Sequence, residues 1–264
     1  MSRIAAAFER AQAEGRAAFV PYLTAGFPDA EAFQQHAQAL LARADVLEVG
    51  LPYSDPLGDG PTIQRASEQV LEQGMHVQDV FEHIRRLRQH SDKAIVLMSY
   101  YNPIYCYPGG EEAFLRALQD AGADGIILPD LPPDEGESLI AAARALDLDT
   151  IFLLAPTSTD GRIALVSQAC RGFIYAVSVT GVTGARTQLP SDLPQLVQRI
   201  KAASSLPVAV GFGVSNGATA HAVAEVADGV VVGSALISSI AKGEDVTALA
   251  DDIVAACRKT VTAS

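Results

Sequence analysis

"DVLEVGLPYSDPLGDGPT" (residues 45–62) joins an apolar run to a turn rich in aspartate, glycine and proline, then to the start of a helical pattern. In an extended chain, neighbouring side chains point to opposite faces. Leu47 and Val49 therefore share one face, and Glu48 points away from them. Val46 to Leu51 reads as a buried strand, so the acid is expected on an inner surface, with Asp55 and Asp59 in the turn that follows.

The same unit recurs along the chain. Apolar runs stand at residues 17–26, 94–101, 125–130, 150–156, 172–179, 206–213 and 229–235, giving eight with the quoted one. Near-continuous runs of this length suit strands covered on both faces, as in a parallel sheet. Helical patterns separate them, among them "DAEAFQQHAQALLAR", which opens on Asp29 as a candidate N-cap. Eight βα units in 264 residues predict an α/β fold, a closed (β/α)8 TIM barrel forming a single domain over residues 1–264. A doubly wound open sheet shares the alternation and is the alternative. The stretch "MSRIAAAFERAQAEGR" places Ile4, Ala7, Phe8 and Ala11 on one face and predicts an extra N-terminal helix.

Composition narrows the function. The formal charge is -12, and the one basic run, "RRLR" at 85–88, reads as a solvated helix face, so nucleic acid is not an expected partner. Cys106, Cys170 and Cys257 have no paired spacing, which suits a reducing compartment and no metal site. His36, His76, His83, His90 and His221 form no ligand pair and read as surface residues. Charges interrupt the N-terminal face, and no apolar run approaches the ~20 residues of a membrane span. The expectation is a cytoplasmic protein with no membrane contact.

Every chemical candidate lies at a strand end or in the loop after it, the face where such barrels carry their sites. Desolvation inside the barrel would raise the pKa of Glu48 and suit it to acid/base work. Asp59, between Gly58 and Gly60, either reaches a ligand as an ionised acid or forms an Asx-turn. Asp55, before Pro56, reads as a turn former. "GFGVSNG" (211–217) does not fit a dinucleotide loop, but a strand, glycine turn and helix can present N–H groups to a phosphate. "VVGSA" (231–235) repeats the design with Gly233 and Ser234, matching the phosphate site after the last two strands of many barrels. "SVTGVTGART" (178–187) reads as a lid. "SYYNPIYCYPGG" (99–110) holds Tyr100, Tyr101, Tyr105 and Tyr107, which form either a covered surface or a wall of the protein's own pocket.

With these residues in view, "YLTAGFPD", "LEVGLPYSDPLGDGPTIQ", "LPDLPPDE", "GFIYAVSVTGVTGA" and "VAVGFGVSN" together resemble the tryptophan synthase alpha chain family, in its usual order. The resemblance implies a lyase of tryptophan biosynthesis that cleaves indole-3-glycerol phosphate by a retro-aldol reaction. It implies no cofactor in this chain, and an α2β2 tetramer with a beta chain that carries pyridoxal phosphate. The family's catalytic acids fall on Glu48 and Asp59. Its substrate- and phosphate-binding positions fall on Tyr22, Thr62, Tyr101, Tyr175, Thr183, Gly184, Phe212, Gly213, Gly233 and Ser234, and its partner interface on Asp55, Pro56 and Tyr105. Gly58 and Tyr53 depart from the common alanine and phenylalanine, and "SVTGVTG" lacks a charge often present there. Another phosphate-binding barrel enzyme, a stand-alone indole-releasing lyase and a purely activating subunit are the rival readings.

Overall fold

The computed structural model describes residues 1–177, 192–211 and 213–260. Eight parallel strands close into a barrel: β1 (Ala18–Thr24), β2 (Val46–Gly50), β3 (Ala94–Met98), β4 (Gly125–Leu128), β5 (Asp149–Leu154), β6 (Ile174–Val177), β7 (Val208–Gly211) and β8 (Gly229–Val232). Closure comes from β8, which pairs with β1 through Ala18–Gly229 to Pro21–Val232. The open-sheet alternative is excluded.

Around the strands run α1 (Arg3–Ala13), α2 (Ala30–Leu41), α3 (Pro61–Glu72), α4 (Val77–His90), α5 (Tyr101–Tyr105) and α6 (Gly110–Ala121). The ring continues with α7 (Glu137–Ala145), α8 (Asp160–Ala169), α9 (Leu193–Ala203), α10 (Gly217–Ala224), α11 (Ser234–Ala241) and α12 (Val246–Ala256). Asp29 caps α2 as its sequence predicts, accepting from the N–H groups of Glu31 and Ala32. Among the described residues no helix is long and apolar enough to cross a membrane.

The two faces of each strand serve different cores. Leu47 and Val49 join Leu97, Ile126, Phe152 and Val230 in the layer between strands and helices. Val20, Val46, Val96, Ile127, Ile151 and Val231 fill the barrel interior. The face of α1 formed by Ile4, Ala7, Phe8 and Ala11 packs into that inner cluster. The N-terminal helix is thus the plug of the barrel's lower end, and Glu48 stands one inward position above Val46.

Aspartates lock this lower end. Asp45, just before β2, accepts the Phe19 N–H of β1 at 2.8 Å and holds Arg16 through two bonds of 2.6 and 2.9 Å. Asp124, just before β4, accepts the Ile95 N–H of β3 at 2.8 Å and pairs with Arg88 at 2.6 Å and Arg3 at 2.9 Å. Asp228, just before β8, accepts the Val208 N–H of β7 at 3.0 Å and pairs with Lys201 at 2.8 Å. In each case a carboxylate satisfies a backbone donor of the preceding strand and is balanced by a cation. Ser2 caps α1 and also donates to Asp149 at 2.6 Å, so the plug is tied to β5.

Two expectations need correction. Within "RRLR", Arg85 and Arg86 face solvent beside Glu82, but half-buried Arg88 belongs to the Asp124 lock. His83 is buried, not superficial: its ring packs edge-on against Phe33, and its Nδ1 faces the Gln34 amide at 2.8 Å. Burial lowers its pKa, so it serves as a neutral ring in the α2–α4 seam.

The Asp124→Ala variant is expected to lose about 3 kcal/mol of stability, because Arg88 is left without its counter-charge and Ile95 without an acceptor. Urea unfolding measures this directly, and a midpoint equal to wild type would contradict the assigned role.

Candidate active site

A cavity of 570 Å³ opens at the upper, C-terminal ends of the strands. Glu48, Asp59, Tyr22, Thr62 and Tyr175 line it, together with Gly213, Gly233 and Ser234. Its apolar wall is built from Met98, Ile127, Leu153 and Tyr175, a surface suited to a flat ring.

Glu48 is only 1% exposed, and its Oε2 has no hydrogen-bond partner among the described residues. In register it lies between Tyr22 of β1 and Val96 of β3. Burial, and secondarily the charge of Asp59, pushes its pKa up to about 8. Among the described residues no cation forms an ion pair with it, so none of them makes it the structural salt bridge that often explains a buried glutamate.

Two glycines set the room around it. A side chain at Gly50 would put its Cβ 2.1 Å from the Tyr22 hydroxyl, and one at Gly211 would come 2.3 Å from the Tyr175 hydroxyl. Each glycine lets a tyrosine ring lie flat across a neighbouring strand. Burial raises the pKa of both phenols, so they remain neutral donors beside the glutamate.

Asp59 approaches from the loop between β2 and α3. Its N–H donates to Pro56 O at 3.2 Å, and the Gln64 side chain donates to its carbonyl at 2.8 Å. The Tyr100 hydroxyl accepts the Gly58 N–H at 2.9 Å and so clamps the loop to the end of β3. Tyr100 also stacks at 5.3 Å on Tyr53. The loop is drier than its polarity suggests. Burial raises the pKa of Asp59 to about 6, with the Tyr100 hydroxyl pulling it back down. The expected order of the acids survives: Asp59 ionises before Glu48.

The four tyrosines of residues 99–110 separate. Tyr100 is buried beside the Asp59 loop, and Tyr107 packs edge-on against Phe114. Tyr101, expected at the substrate, does not line the cavity. It opens α5, where its hydroxyl donates to Glu111 at 2.5 Å and its N–H to Asp130 at 2.9 Å, turning it away from the cavity. Tyr105 is 66% exposed, and Leu57, which composition gave no reason to single out, is 94% exposed. Exposed Asp55 and half-buried Pro56 stand with Leu57 on the same loop.

The two glycine turns also differ. Gly233 precedes α11 and makes no side-chain cap, leaving the helix N-terminus open toward the cavity at Ser234. Gly213, at φ +90, turns the chain after β7. Beyond it the N-terminus of α10 is filled from within by Asn216, Thr219 and Asp252. Thr183, Gly184 and Phe212 lie outside the described residues.

A closed parallel barrel with one buried and one half-buried acid and an open helix N-terminus around one cavity defines a (β/α)8 enzyme of the kind that holds a phosphorylated substrate. The family model of the tryptophan synthase alpha chain matches residues 8–263. A tryptophan synthase alpha chain of Deinococcus radiodurans is 55% identical over 260 residues, covering 98% of this chain and 96% of the relative. One from Opitutus terrae is 45% identical over 98% of this chain and all of its own length. A chain of Mycobacterium tuberculosis tryptophan synthase superposes with a TM-score of 0.90 at 43% identity, covering 97% of this chain and 98% of its own. This chain belongs to the tryptophan synthase alpha chain family.

The Tyr100→Phe variant tests the loop clamp. Loss of the hydroxyl removes the contact that lowers the Asp59 pKa, so carboxyl NMR titration should find Asp59 ionising above its wild-type value of about 6. An unchanged titration would show that Tyr100 does not tune the acid.

Proposed function

We propose that this chain cleaves indole-3-glycerol phosphate into indole and glyceraldehyde 3-phosphate, with Glu48 moving the protons and Asp59 stabilising the ring. The observation that carries the reading is a pair of acids in one cavity with different proton affinities, about 8 for Glu48 and about 6 for Asp59. At neutral pH Glu48 holds a proton to give, and Asp59 is mostly a carboxylate.

The chemistry needs both states. Protonated Glu48 gives its proton to the indole carbon that bears the glycerol chain, and the ring takes up positive charge shared with its nitrogen. Ionised Asp59 accepts the ring N–H and balances that charge. Glu48, now a carboxylate, takes the proton of the neighbouring hydroxyl. The carbon–carbon bond breaks, its electron pair restores the aromatic ring, and the hydroxyl carbon leaves as an aldehyde. The phosphate would rest on the open N-terminus of α11 at Gly233 and Ser234 and on the turn at Gly213, with the ring against Met98, Ile127 and Leu153. Thr62 and Tyr22 complete the walls, and Thr183, Gly184 and Phe212 are the further contacts the family resemblance implies.

Chains of this family carry no cofactor; the pyridoxal phosphate of tryptophan synthase is on its beta chain. We assign this chain a beta partner, in an α2β2 tetramer, seated over the upper face. Leu57, on the loop after β2, and Tyr105, at the end of the short helix α5 after β3, supply exposed apolar surface there. A partner on them would order the Asp59 loop and exclude water from the cleft. A cytoplasmic setting agrees with three free cysteines, of which Cys106 is exposed.

Incubation of purified protein with indole-3-glycerol phosphate should release indole, and Glu48→Gln should cut the rate on the order of 10³-fold with the fold intact. The wild-type kcat/KM should rise through pH of about 6, as Asp59 ionises, and fall through about 8, as Glu48 loses its proton. No indole from wild type, or full activity in the glutamine variant, would refute the assignment. Added beta chain should raise the rate, and Leu57→Ser or Tyr105→Ala should weaken that gain; equal stimulation of the variants would exclude this face as the docking surface.

A further inference from the structure

One carboxylate outside the cavity is bonded to the backbone of the loop that forms its floor. Asp252, on the exposed side of α12, accepts the N–H of Gly217 at 2.6 Å. Gly217 is buried and opens α10; a Cβ there would lie 2.8 Å from Asp252 Oδ1, so the approach depends on glycine. The preceding amides are also consumed. Ser215 and Asn216 donate their N–H groups to Thr219 Oγ1 at 3.0 and 3.3 Å, and Thr219 N–H donates to Asn216 Oδ1 at 3.0 Å.

These bonds have two consequences. The turn that begins at Gly213 and lines the cavity through Val214 and Ser215 is fastened at its far end to α12. The N-terminus of α10, which would otherwise attract an anion, is already occupied by a carboxylate of the same chain. The neighbouring N-terminus, of α11, has no side-chain cap. Two adjacent helix ends of similar sequence are thus made unequal, one closed and one open.

We propose that Asp252 is a positioning residue for the phosphate subsite: it fixes the turn at residues 213–217 and directs the substrate anion to the α11 end. This rests on the phosphate reading given above. Asp252 touches no group that reacts. The seam it borders is held by buried Ala220, Val223 and Ala224 of α10 and Ala250 and Ile253 of α12, so the fold does not depend on the acid.

The test is steady-state kinetics of Asp252→Ala and Asp252→Asn, with glycerol phosphate as competitor. Loss of a charge-assisted hydrogen bond should raise the KM for indole-3-glycerol phosphate and the Ki of glycerol phosphate about tenfold in the alanine variant, with kcat changing about twofold or less. Asparagine keeps an oxygen for the Gly217 N–H and should restore most of the affinity. Unchanged KM and Ki in folded Asp252→Ala would overturn the proposal, as would an asparagine variant as weak as the alanine one. So would parallel losses of kcat, affinity and thermal midpoint, which mark a merely structural residue. Should alanine prevent folding, the asparagine variant decides alone: near-wild-type KM and Ki support the anchor, and a loss of affinity with normal kcat argues against it. If glycerol phosphate fails to compete in the wild-type protein, the phosphate reading itself falls and takes this one with it; competition in wild type with no change in the variants sinks only the role of Asp252.

Discussion

A buried carboxyl group with no counter-ion among the described residues is the constraint on which this structure turns. Glu48 sits in the barrel interior with an oxygen that no described residue satisfies. Leaving such a group unpaired costs free energy, and the chain lowers the cost by keeping the proton on. That solution holds only if the interior stays dry and the strand cannot shift. Val46 and Val96 in the inner cluster, and Leu47 and Val49 against the helices, hold the strand from both sides. The site is therefore strained toward reactivity by a scaffold that gains nothing locally from it.

The two ends of the barrel divide this labour. At the lower end Asp45, Asp124 and Asp228 each take a backbone donor and a cation, and α1 seals the bore. At the upper end the side chains withdraw. Gly50, Gly211 and Gly233 create space for Tyr22, Tyr175 and whatever rests on α11. Stability and chemistry are thus separated by the length of a strand, which is the advantage this architecture offers an active site.

Much of this was legible in the residues alone, for reasons that differ from case to case. Strand period placed Glu48 inward because its neighbours Leu47 and Val49 needed the helices. Eight apolar runs foretold the barrel, since a strand covered on both faces leaves a continuous apolar signature. The acids' specific roles came instead from likeness to a family, because no local pattern states what an aspartate faces. Pattern failed where a single turn decides direction. Tyr100 and Tyr101 are adjacent, yet one clamps the Asp59 loop and the other reaches Glu111. A polar helix can still bury one ring, as at His83, and no local pattern marks Asp252, whose partner lies 35 residues away.

The coupling between the acids gives the proposed reaction its timing. Asp59 as an anion helps to hold the proton on Glu48, since its charge is the second cause of the raised pKa. A ring N–H bound to Asp59 would draw on that charge and relieve part of the hold. Substrate binding would then make Glu48 a stronger acid just when a proton must move to the ring, without any change in its own position. As positive charge grows on the ring, the same pairing would strengthen, the more so once a docked partner excludes water from the cleft. In the proposed reaction the loop acid would therefore act twice, storing the proton in the empty site and favouring its release in the filled one.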